Sequence, residues 1–131
     1  MNAEKFSQLM HERHSALFAP DNELDLGARV GAGWFPLLAE LFDALSSRRK
    51  DGTFWIVQVK EKFGTLRVQV AFEEDDRGLR RDVYSLLAIF EERSSTICER
   101  CGSTQGFLTT QPWERVRCPR CSLFASLEGP G

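Results

Sequence analysis

Four cysteines stand in two matching frames near the C-terminus, Cys98-Glu-Arg-Cys101 and Cys118-Pro-Arg-Cys121, and the chain has no other cysteine. Two thiolates three positions apart grip one face of a metal ion from a tight turn, and a second such turn closes the tetrahedron. Sixteen residues separate the pairs, a spacing that marks a structural zinc site. Four sulfur ligands leave no position for water. The chemistry predicted for Cys98, Cys101, Cys118 and Cys121 is therefore the holding of one structural Zn(II), not catalysis. Two disulfides, or a thioredoxin-like redox pair, are the competing uses of such cysteines. Residues 1–10 include Glu4 and Lys5 and no apolar segment of signal-peptide length, and two CxxC frames at this distance favour metal. The expected compartment is the cytoplasm, where thiols stay reduced.

The neighbours of the cysteines agree. Gly102 follows Cys101 where the chain must turn so that N–H groups point at sulfur. Pro119 stiffens the second frame. Between the frames, 106–110 and 113–117 are short β-favouring runs. Two strands joining two cysteine turns make a zinc ribbon over residues 96–125, with folding coupled to metal binding.

No other chemistry is expected. His11 and His14 are three apart with Glu12 between, whereas a zinc-protease helix needs histidines four apart, so both read as a solvated helix face. No nucleophile triad is visible. Gly27-x-x-x-Gly31-x-Gly33 follows no clear strand and precedes no Gly-Lys-Ser/Thr, so it is not a phosphate loop. The chain reads as a non-enzyme. Arg93, Arg100, Arg115, Arg117 and Arg120 gather on the ribbon against only Glu99 and Glu114. With Phe107 and Trp113 they offer phosphate contacts and stacking rings.

The positioning elements follow from periodicity. Residues 3–18 repeat Phe6, Leu9, Met10 and Leu17 at helical spacing, and 20–32 form a loop. A second helix begins near Phe35 with Pro36 in its first turn and Leu37, Leu38, Leu41 and Leu45 on one face. It closes on Arg48-Arg49-Lys50, and Asp51-Gly52 turns the chain. Residues 53–60 and 66–72 alternate as a β-hairpin. Trp55, Val57 and Val59 lie on one side, and a turn covers 61–64. Its polar face includes Gln58, Lys60, Arg67 and Gln69. Acidic residues 73–76 open a third helix that carries Leu79, Val83, Leu86, Leu87 and Phe90 to about Arg93. The fold class is α+β, with helices packed on a small antiparallel hairpin and a C-terminal zinc ribbon after them. The expected organisation is a helix–helix–hairpin–helix core over 1–95, the ribbon packed on or hung from it over 96–125, and a flexible tail over 126–131. The pattern does not say whether the ribbon strands join the hairpin sheet.

The 131 residues contain 42 % apolar residues, ten Phe and three Trp, enough for one small core. A formal net charge of −2 gives no global attraction to nucleic acid or anionic lipid, and no apolar run spans a membrane. Gly33-Trp34, the KEKFGTLR string at 60–67, Arg93-Ser94, CERCG and W-x₄-C-x-x-C together resemble a group of small bacterial and prophage-encoded zinc-ribbon proteins. The resemblance spans roughly 33–121 and implies metal binding and α+β architecture. The expected function is a protein-binding or inhibitory module, an immunity protein (antitoxin) for a cognate toxin or a phage-encoded modulator of a host protein. An acidic surface suits masking a basic toxin. Its contact surface is expected among Gln58, Lys60, Arg67, Gln69, Arg100, Phe107, Trp113, Arg115 and Arg117. The alternative is a nucleic-acid-binding or transcription-associated ribbon.

Overall fold

Asn2 starts the first helix, its side chain accepting the Lys5 N–H at 2.8 Å. The computed structural model describes residues 2–19, 30–49, 53–110 and 114–122. Helix α1 (Ala3–Arg13) buries Phe6 and Met10. The predicted helix is cut short. His14 leaves helical geometry, and Ser15–Leu17 tightens into a single 3₁₀ turn that drops Leu17 into the core. Phe18 then runs extended beside Ile56 as a single parallel bridge. The expected loop lies mostly outside the described residues, as do the Asp51-Gly52 turn, Trp113 and the tail.

A second 3₁₀ turn, Ala32–Trp34, leads into α2 (Phe35–Arg48) with Pro36 in its first turn. Leu37, Leu38, Leu41, Phe42 and Leu45 are buried along it. Strands β1 (Phe54–Lys62) and β2 (Thr65–Phe72) pair antiparallel. Strict alternation would place Val57 and Val59 beside Trp55. Instead the register shifts between Ile56 and Gln58, Val57 is the extra residue of a bulge, and the parity reverses. Phe54, Ile56 and Val59 therefore face the core, while Gln58 opposite Gln69 and Lys60 opposite Arg67 face away. The ladder continues to Lys62 opposite Thr65, so the turn shrinks to Phe63-Gly64. Both have positive φ, 53° and 83°, the signature of a type I′ hairpin turn. The Glu61 carboxylate accepts the Gly64 N–H at 2.7 Å.

Asp76 caps α3 (Arg77–Ser94) by accepting the Leu79 N–H. Leu79, Val83 and Phe90 are buried against α2 and β2, with Leu86 and Leu87 half-buried. At its end the buried Ser94 hydroxyl accepts the Leu66 N–H at 2.9 Å, tying helix to hairpin. Arg93 reaches Glu40 on α2 at 2.8 Å. Strands β3 (Phe107–Thr109) and β4 (Arg115–Arg117) form a separate two-stranded antiparallel sheet, so they do not extend the hairpin. Val116 nevertheless belongs to the same buried cluster as α2 and the hairpin. Among the described residues, no helix is long and apolar enough to cross a membrane.

Candidate metal centre

The first cysteine turn follows α3 directly. The Cys98 N–H donates to Ser103 O and the Gly102 N–H to Cys98 O, each at 2.8 Å, closing a small loop around the sulfur. Gly102 has φ 84°, which an L side chain rarely adopts. The second turn follows β4. There the Ser122 N–H donates to Cys118 O at 2.8 Å, and the Cys121 N–H points at the Cys118 sulfur at 3.5 Å. The four sulfurs lie within 4.8 Å of one another, all four cysteines are free, and only Cys101 is exposed.

The electrostatics of this cluster ask for a cation. Burial opposes charge on Cys98, yet the N–H groups of Cys101, Cys118 and Arg100 outweigh it and bring its pKa down to about 7. The Cys121 N–H likewise lowers Cys118. Burial and the three neighbouring thiols push Cys121 up to about 12. Four sulfurs this close cannot all ionise unaided, and a metal ion held among them would supply the missing positive charge. Four converging sulfurs backed by N–H donors suit a thiophilic ion held in a closed tetrahedron.

A glycine cradle holds the first turn against the core. The Gly33 N–H donates to Glu99 O at 2.7 Å and the Gly31 N–H to the Glu99 carboxylate at 2.9 Å. A methyl group at either glycine would collide with backbone of Cys98 or Glu99. Trp34, fully buried, donates its indole N–H to Ile97 O at 2.9 Å. The Gly31-x-Gly33 spacing is thus neither a phosphate loop nor a loose linker. It is a backbone-to-backbone seat that side chains at 31 and 33 would fill.

The expected contact surface divides. Gln58, Lys60, Arg67 and Gln69 share one hairpin face, with Arg67 held by Glu91 at 2.8 Å. Arg100 and Phe107 are exposed, and Arg115 is half-buried. Arg117 is the correction. It is 4 % exposed and pairs with the equally buried Glu99 at 3.5 Å, so it braces the ribbon from inside. Burial pushes the Glu99 carboxyl up, while the Gly31 N–H and Arg117 pull against it. Trp113 lies outside the described residues.

His14 is a second correction. It is not solvated. Its side chain is 7 % exposed, with Nε2 at 3.0 Å from Asp43 and Nδ1 at 2.8 Å from the Ser46 hydroxyl. The connectivity mimics a nucleophile triad. However, Ser46 sits in the last turns of α2, where the free backbone groups are carbonyls rather than oxyanion-binding N–H donors. The three residues clip α1 to α2. Burial lowers the His14 pKa despite the attraction of Asp43, with Arg13 adding to the lowering. The unfolded chain then takes up the proton more readily than the folded one. The contribution is complete above about pH 6.5 and is lost as pH falls through the lower folded value. Urea midpoints at about pH 7.5 and 5.5 should show acid destabilisation. His14→Asn should flatten that difference, and an unchanged slope would refute the assignment.

No family model, curated protein or solved structure matches the chain.

Proposed function

We propose that this protein is a non-catalytic binding module whose C-terminal part is a zinc ribbon, with one Zn(II) held by Cys98, Cys101, Cys118 and Cys121. The convergence of the four sulfurs within 4.8 Å carries this reading. Zinc is the metal of choice because a tetrathiolate site suits a borderline-soft ion with no geometric preference of its own. The metal's task is to hold β3 and β4 against the hairpin tip. There Leu108 touches Gly64 so closely that a side chain at 64 would meet its Cδ1 at 2.6 Å. Hairpin and ribbon thereby present one composite surface.

A protein partner, whether a toxin to be neutralised or a host protein to be modulated, draws support from the net charge of −2 and from the exposed Phe107 and Leu108. The resemblance to prophage zinc-ribbon proteins belongs to the same proposal. Elemental analysis of carefully reduced protein should find one equivalent of zinc. Less than half an equivalent in folded protein would overturn the assignment.

A further inference from the structure

The outward face of the hairpin reverses the charge of the chain. Acidic residues outnumber basic ones overall, 19 to 17. Yet Lys60, Lys62 and Arg67 project from this face beside Gln58, Gln69 and Trp55, and neither strand contributes an acid to it. Glu61 lies in register with the inward Leu66 and is engaged by the Gly64 N–H. Glu91 of α3 pairs with Arg67 at 2.8 Å. Lys62, Arg67 and Gln69 are exposed, and Trp55, Gln58 and Lys60 are half-buried.

The tip adds a second observation. Phe63 is 64 % exposed and holds φ 53°, at a turn position that asks for Asn, Asp or Gly. An aromatic side chain there gains little burial and strains the backbone, a combination found where a side chain serves a ligand. Lys62 Nζ stands 5.5 Å from its ring. From Trp55 to Phe63 the strand spans about 26 Å, room for about four nucleotides of extended strand.

Resting on the binding-module reading above, we propose that this face binds single-stranded nucleic acid. Lys60, Lys62 and Arg67 meet the phosphates, Phe63 and Trp55 stack on bases, and Gln58 and Gln69 supply hydrogen bonds to base edges.

Fluorescence anisotropy with the zinc-loaded full chain tests this, using labelled oligo-dT and oligo-U of about 12 nucleotides and a duplex of equal length. Both single strands should bind at micromolar protein and more tightly than duplex. Affinity should fall about tenfold between about 50 and 200 mM salt, as a few phosphate contacts require. The double substitution Lys60→Glu, Lys62→Glu should abolish binding. Phe63→Asn relieves the turn, so it should raise the melting temperature while weakening binding about fivefold or more. A more stable but equally tight Phe63→Asn protein, or duplex bound as tightly as single strand, would overturn the stacking assignment. No binding at about 100 µM protein in low salt, with zinc and melting intact, would reject nucleic acid and point to a protein partner at this face. Zinc below half an equivalent would instead overturn the earlier reading, and strand binding that persisted in such protein would still support this one.

Discussion

Gly33→Ala unseats the first cysteine turn. The added methyl would stand 2.6 Å from both the carbonyl carbon and oxygen of Glu99 and closer still to the Cys98 carbonyl. These are backbone atoms of the first cysteine loop, so no side chain can swing aside. Moving them away stretches the 2.7 Å bond from Gly33 N–H to Glu99 O and drags on Cys98. Overpacking costs about 1–3 kcal/mol, and a buried unmet donor and acceptor add about as much again. The expected loss is about 3 kcal/mol or more, a large share of the stability of a domain this size. Urea denaturation should show it, and competition with a zinc chelator should show weaker metal binding in the same variant. A normal midpoint with normal zinc affinity would refute the cradle. Gly31→Ala should act in the same direction, because its methyl would meet the Glu99 carbonyl and side chain.

Removal of the metal should reach beyond the ribbon. Spacing alone suggests that losing zinc unfolds 96–125 and spares much of the rest. The contacts argue for wider damage. Ile97 O accepts the Trp34 indole, Glu99 holds Gly31 and Gly33, and Val116 sits in the main core. Structural zinc contributes on the order of 10 kcal/mol, comparable to the whole stability of a small domain. Cys98→Ser, or chelation, should therefore lower the melting temperature by about 10 °C or more. It should also expose Trp34 and strip amide protection from 31–34 while the hairpin register persists. Cys101→Ser should be milder. Cys98 is fully buried and its backbone is wedged against the cradle, whereas Cys101 is exposed. Equal effects of the two substitutions, or an undisturbed Trp34 signal in metal-free protein, would contradict this coupling.

Much of this architecture was legible in the residues because its causes are local. Helical repeats of Leu, Phe and Val located α2 and α3, alternation located β2, and two CxxC frames located the cysteine cluster. Each is a relation among neighbours along the chain. The bulge at Val57 was hidden because an inserted residue looks the same as an alternating one until the partner strand is in place. His14 looked solvated because its partners, Asp43 and Ser46, lie about 30 residues away and only the packing of α1 on α2 brings them together.

The four cysteines announced unaided that they could hold a metal ion, since residue type and spacing suffice to bring four sulfurs together. Their place in the protein was not announced. The bond from Gly31 to Glu99 joins residues 68 positions apart, and the buried Glu99–Arg117 pair took an expected surface arginine inside. Spacing dictates what the cysteines can hold. Only long-range burial decides what holds the cysteines, because the cost of a buried carbonyl, indole N–H or charge is settled by whichever distant group arrives to meet it.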